Sequence, residues 1–520
     1  MNISFSQSTT QVEAYDFLEV TVQVAAPGIE NPFTQAELKG TFSQVGGAPL
    51  EVEGFCDAPD GSIYRIRLMP TGQGEYSYRV TLRLNDDKHT HEGTFRAFAS
   101  TRKGLLRVDE AHLWHFVWQG TGEHYFWNGT TTYFLMGWDD ETIRQSIDRL
   151  HALGVNRLRV AVAGRVHSGQ QWGEPVYATD RFHFTLNPWV AQRPDDVEKP
   201  GFDVTRFNVE YWQKYERLLA YARERDVIIS VIFYVDGAAY GTDPFKEQMG
   251  GEDEQRYYRY AAARFSAYSN VLWDVTNEYH LFRNEEWTEK MGAFLRSCDP
   301  YDHLMSVHGH GEFPFRTSPW VDFAMYQAWD EGGGHGFMLH NRKLQTEAGK
   351  PMPQVNEEYG YEDHYPEWGG GKQAPARSAE NRRRLAWEIS MAGCYQTTGE
   401  RTDNGLGGWI NGRGDESMIM LHGYKQMVDF FSRLPWWELE PHDELATNGA
   451  QCLAREGERY VAYLPSGGST TLQLQDGAYA ARWFNPRNGE YSDLPTVQTT
   501  SWTSPAAPDS EDWVLLLKKA

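Results

Sequence analysis

Residues 271–280 read VLWDVTNEYH, a short apolar run that stops at a polar Asn277-Glu278 pair. Such a run is too short for a helix and suits a strand buried in a parallel sheet. Seven further segments share its character: TYFLMGW (132–138), VNRLRVAV (155–162), VIISVIFYV (227–235), HLMSVHGH (303–310), FAMYQAW (323–329), MPQVNEEYG (352–360) and GLGGWI (405–410). Helix-compatible stretches separate them. In residues 208–226, Val209, Trp212, Tyr215, Leu219 and Ala222 share one helical face, with charges opposite. Eight short strands alternating with amphipathic helices predict an α/β fold, a (β/α)8 TIM barrel.

Outside that region the periodicity changes. FLEVTVQVAA (17–26), AELKGTFSQV (36–45), SIYRIRLMP (62–70) and GEYSYRVTLRL (74–84) alternate at the strand period between Gly, Pro, Asn and Asp turns. A β-sandwich is expected over 1–105. The segment 415–437 reads as the last barrel helix, closed by Pro435. RYVAYLPSG (459–467), TTLQLQDG (470–477), YAARWFNPRNGEY (479–491) and DWVLLLKK (512–519) then return to hairpins. The expected division is a sandwich at 1–105, a barrel at 106–436 and a second sandwich at 437–520.

The chain has 520 residues, so several units are expected. Its net charge of −23 opposes a phosphate backbone, so nucleic acid is excluded as a partner. No apolar run is long enough for a bilayer span, and the first residues lack a basic-then-apolar export signal. A cytoplasmic setting without membrane association is the expectation. Four cysteines without metal-ligand spacing read as reduced, buried thiols. The His308/His310 and His89/His91 pairs lack a third ligand at a recognisable spacing, so no metal site and no cofactor are expected. Aromatic residues make up 14%, with 19 Trp, which suits stacking on sugar faces as well as core filling. Nothing in the sequence decides between a monomer and a homo-oligomer.

Hydrolysis of a glycosidic bond needs two converging carboxyls, one donating a proton and one stabilising or attacking the oxocarbenium-like centre. In a barrel these groups lie at strand C-termini, where different βα loops meet. Glu278 follows the fourth expected strand and Glu358 ends the seventh, across the mouth from it. Strand alternation allows only one of the adjacent Glu357 and Glu358 to point into that mouth.

Asn277-Glu278 and Glu358-Tyr359-Gly360 resemble the signatures of the clan of family 5-type (clan A) retaining glycosidases. The resemblance extends to VEGFCDAPDGSIYRIRLMP (52–70), THEGTFRAF (90–98), VNEEYGYE (355–362), LPWWELEP (434–441), WFNPRNGEY (483–491) and DWVLLL (512–517). It is that of bacterial glycoside hydrolases joining a DUF5060-like N-terminal sandwich, an apiosidase-like barrel and a C-terminal sandwich. It implies Glu278 as acid/base and Glu358 as nucleophile, the aromatic-Gly context selecting Glu358 over Glu357. It further implies Arg159 as the group that keeps the nucleophile ionised, Tyr326 near that nucleophile, and Trp409 as the floor beneath the sugar. Trp138, ending strand one, would contribute similarly. Asn277 would bond the sugar 2-hydroxyl or orient Glu278, and His308, as a neutral imidazole, a hydroxyl or the acid/base. The relatives often carry Gly where this chain has Glu357.

The implied activity is retaining hydrolysis of a glycoside or oligosaccharide, with the sugar left open. Cytoplasmic work on imported material predicts small β-linked substrates and exo action. The competing classes are a noncatalytic carbohydrate-binding protein and a polysaccharide lyase, neither of which accounts for both strand-end glutamates.

Overall fold

The computed structural model describes residues 2–165, 182–183, 185–196, 199–235, 243–362, 377–400, 412–413 and 419–520. Eight parallel strands surround a common axis: Asn128–Thr131, Arg157–Arg165, Ile228–Val235, Val271–Asp274, Met305–Ser306, Ala324–Gln327, Gln354–Glu358 and Tyr395–Thr398. Hydrogen bonding runs in spatial order 5-4-3-2-1-8-7-6. The remaining gap is bridged where Asp322 N donates to Met305 O (2.9 Å) and Ser306 Oγ to Phe323 O (2.6 Å). Every residue of Ile228–Val235 is buried, as expected for a strand with the barrel interior on one side and helices on the other. Helices such as Val209–Arg223 and Glu252–Phe265 pack outside, the first burying Trp212, Tyr215, Leu219 and Ala222 as the periodicity predicted.

Two expected strands lie elsewhere. The first is Asn128–Thr131, and the apolar segment after it forms a 3-10 turn at Leu135–Gly137. The eighth is Tyr395–Thr398, pairing with both the seventh and the first. Its sequence, YQTT, carries little apolar signal because buried Gln396 and Thr397 spend their polar groups on Asn128, Trp127 and Arg157. The segment 405–410 falls outside the described residues.

Before the barrel, sheets of four and five strands pack around Leu18, Val20, Val22, Ile66, Val80 and Leu82. Burial alternates strictly along Gly74–Leu84, so one face fills the sandwich. Leu105 belongs to the sandwich core and Leu106 to the barrel core. A buried ionic network joins the two. Arg67 of the sandwich donates to Glu216 (2.6 Å), and barrel Arg264 donates to Glu216 (2.9 Å) and to Asp57 of the sandwich (2.8 Å).

After the barrel, a six-stranded antiparallel sheet presents Cys452, Tyr460, Leu515 and Leu517 to its own core. Its other face, with Val461, Tyr463, Phe484 and Val514, joins the barrel core. Both faces are therefore apolar. Among the described residues the four cysteines are unpaired, three of them buried, and burial pushes the Cys394 thiol up to about 12. Among them, too, no helix is long and apolar enough to cross a membrane.

Candidate active site

The C-terminal ends of the strands converge on one guanidinium. Arg159, the third residue of the second strand, is fully buried. Its Nη1 donates to Glu358 Oε1 (2.9 Å) and to the Tyr133 hydroxyl (3.0 Å). Nη2 donates to Asn277 Oδ1 (2.7 Å) and touches His308 Nδ1. Tyr133 in turn donates to Glu358 Oε1, and Gln327 Nε2 donates to Glu358 Oε2 (3.2 Å). Asn277 Nδ2 donates to Glu278 Oε2 (3.2 Å), so an unbroken chain of hydrogen bonds links the two glutamates through Arg159 and Asn277.

Local backbone explains how each arrives there. Asn277 N donates to Tyr234 O (3.0 Å), extending the contact with the third strand beyond the ladder. Glu278 then takes a left-handed conformation, φ 44° and ψ 51°. That region costs a non-glycine residue about 1 kcal/mol or more, and such strain collects at functional sites. The turn lies beyond the strand's last residue, Asp274, and the Glu278 side chain there is half-buried, while Glu358 is 4% exposed.

Strict alternation does not hold at Glu357-Glu358. Tyr326 pairs with Asn356 but Gln327 pairs with Glu358, so Glu357 is an extra residue in the seventh strand. This bulge re-aims the side chains, and both carboxylates reach arginines of the barrel interior. Glu357 contacts Arg157 Nη1 and lies 3.2 Å from Arg159 Nε. Alternation across this pair therefore fails, with both carboxylates turned to the barrel interior.

Beneath this pair lies Asp274, fully buried. Burial, reinforced by the charge of Glu357, pushes its carboxyl up to about 7 against the pull of Arg159 and Arg157. With Asp274 protonated, two guanidiniums face two carboxylates and the interior is balanced. The folded state then holds a proton that the unfolded chain releases near 3.8. The stability this contributes is greatest below that value and declines as pH rises towards 7. The total is at most about 4 kcal/mol at 1.4 kcal/mol per unit. Denaturant unfolding at pH 4.5 and 7.5 should show Asp274→Asn gaining on the parent protein at the higher pH.

The other expected residues divide. His308 is fully buried with Nδ1 2.6 Å from Asn277 Oδ1. Burial, then the charge of Arg159, holds it well below the ordinary imidazole range, so it is neutral. Tyr326 does not reach Glu358: its hydroxyl donates to Gln354 (2.6 Å) and accepts from Arg316 (3.0 Å), and its ring packs on Phe337 of an outer helix. Strand parity explains this, since the neighbouring Gln327 takes the inward place. Tyr133 supplies the phenol instead, from two residues beyond the first strand. Trp138 packs on Phe182 (4.6 Å between ring centres) with Arg413 over its face. Glu362 accepts from Ile419 N and Met420 N (3.1 Å each), at the start of the last helix. Trp409 lies outside the described residues. Tyr133 and Gln327 escaped sequence reading because neither sits in an acidic or Asn-Glu signature.

The model of the apiosidase-like catalytic domain matches residues 114–400, more than half of the chain. The domain of unknown function DUF5060 matches 11–83, and the candidate collagen-binding domain of a collagenase matches 442–518. Among curated proteins none shows significant sequence similarity. Among solved structures, a candidate glycoside hydrolase of Bacteroides vulgatus superposes with TM-score 0.80 at 20% identity, covering 98% of this chain and 100% of its own. A family 5 glycoside hydrolase of the same species superposes with TM-score 0.63 at 17% identity, covering 80% and 94%. These likenesses show a shared fold. With a barrel whose strand ends gather Arg159, Asn277, Glu278 and Glu358, and with the family model spanning that barrel, the chain belongs to the apiosidase-like catalytic-domain family.

Proposed function

We propose that the protein is a retaining glycoside hydrolase that removes terminal sugars from small β-linked oligosaccharides or glycosides, with Glu358 as nucleophile and Glu278 as acid/base. The observation that carries this reading is the hydrogen-bond chain joining both carboxyls through Arg159 and Asn277 at the barrel mouth. Glu358, which accepts from Arg159 and Tyr133, attacks the anomeric carbon while Glu278 gives its proton to the departing oxygen. In the second step Glu278 takes a proton from water, which displaces Glu358 with restored configuration. Asn277 orients Glu278, and the neutral His308 backs Asn277.

The stereochemistry of the first product tests retention. A β-glycoside should yield the β-sugar initially, seen by proton NMR before mutarotation; the α-sugar would reject the mechanism. Exo action predicts single sugars from a reducing-end-labelled oligosaccharide, and early internal fragments would exclude it. The proposed setting is the cytoplasm, to be tested by fractionation.

A second reading, removal of a pentose as in apiosidases or arabinofuranosidases, is favoured by the family match over 114–400. Nitrophenyl apiosides and arabinofuranosides beside glucosides and galactosides decide between them. Tyr133→Phe removes one donor from the anionic nucleophile. A bond to a charged group of about 1.5–3 kcal/mol predicts a loss of roughly 10- to 100-fold in kcat/KM.

A further inference from the structure

The geometry points to a divalent transition-metal site, suited to Zn2+, formed by Asp109, His112 and His124 at the end of the barrel opposite the carboxylate pair. All three precede the first barrel strand at Asn128. Neighbouring His115 places Nδ1 2.8 Å from the Tyr395 hydroxyl, at the first residue of the eighth strand, which marks the N-terminal end of the barrel. That end of the fold serves stability rather than chemistry.

His112 Nδ1 and His124 Nε2 each lie 2.8 Å from the same oxygen, Oδ2 of Asp109. The three ligand atoms lie within 4.8 Å of one another. A tetrahedral ion with bonds of about 2.0–2.1 Å needs ligand atoms about 3.3 Å apart, so small rotations of the rings would open the space. Two imidazoles and a carboxylate supply three ligands, and water the fourth. Such a nitrogen-oxygen set suits Zn2+ above Mg2+ or Ca2+, which prefer all-oxygen shells.

Each ligand is held by something other than the other two. Ala111 N donates to Asp109 Oδ1 (2.9 Å), leaving Oδ2 to face the rings. The His124 ring lies flat on Trp437, 3.7 Å between centres and 3° between planes. His112 sits in a tight turn, with its N donating to Asp109 O (3.2 Å) and its O accepting from His115 N (2.9 Å).

On binding, the ion replaces the ring protons facing Asp109. Each ring carries its proton on the other nitrogen instead. The ion would fasten the segment leading into the barrel against Trp437, which follows the last helix. Sequence reading missed the site because it weighed only closely spaced histidine pairs, whereas the third ligand here lies 12 residues beyond the second.

The test uses the full chain, stripped with a chelator and returned to metal-free buffer. Titration with ZnCl2 by calorimetry should show one ion bound per chain, and thermal unfolding should shift upward with added Zn2+ because the ligand binds the folded state. His112, about one-third exposed, can be replaced without hollowing the core. His112→Ala should lose the saturable uptake and the thermal shift while unfolding at the temperature of the stripped parent. Asp109→Asn should lose the uptake as well. Failure of the parent protein to bind Zn2+ would overturn the proposal, as would uptake undiminished in both variants.

Discussion

Replacement of Glu358 by Ala is expected to reduce turnover to background on every substrate, activated or not. No other described carboxylate occupies its position: Glu357 is committed to Arg157 and Arg159, and Asp274 is deeply buried and shifted towards its neutral form. Glu278→Ala should behave differently. A nitrophenolate departs without much protonation, so such substrates should keep a fast first step and accumulate the glycosyl-enzyme. Substrates with alkoxide leaving groups should slow by about 10²–10⁴-fold, the usual contribution of general acid catalysis. Azide should restore turnover of Glu278→Ala on aryl substrates and give a β-glycosyl azide from a β-glycoside. Equal slowing across leaving groups, with no azide product, would remove Glu278 from the acid/base role.

Removal of Arg159 should produce the largest combined loss of stability and activity outside the carboxylates themselves. The guanidinium is fully buried and contacts Glu357, Glu358, Tyr133, Asn277 and His308. Among the described residues, Arg159→Ala leaves Glu358 with neutral donors and Glu357 with Arg157. An uncompensated buried charge costs about 3–5 kcal/mol, to be read from urea unfolding. Arg159→Lys keeps the charge but cannot present the planar fork that meets Glu358 and Asn277 together. It should recover part of the stability and little of kcat. Full activity in Arg159→Lys would mean that charge alone, and not the fork, prepares Glu358.

The order of elements was legible along the chain because short apolar runs and helical stripes report burial locally. Strand eight was the exception. Tyr395–Thr398 is buried, yet Gln396 and Thr397 are polar and bond to Asn128, Trp127 and Arg157 of and beside the neighbouring strands, so its sequence carries no apolar pattern. Strand one was misplaced by a few residues because the apolar side chains of its 3-10 turn are as buried as a strand.

By itself the sequence determined a barrel between two β units, the Asn277-Glu278 and Glu358 signatures and the arginine on strand two. The order of elements follows from local periodicity, and the signatures and the arginine from the resemblance to family 5-type glycosidases. Tertiary structure alone decided which side chains share a charge. The bulge at Glu357 turns two consecutive carboxylates towards the same pair of arginines, which no alternating pattern can announce. Tyr133 reaches Glu358 from just beyond strand one and Gln327 from strand six, while Tyr326 turns away, because parity at a strand end is fixed by its neighbours' register. The likeness of Asp109, His112 and His124 to a metal site arises in the same way, from a turn and a strand brought face to face.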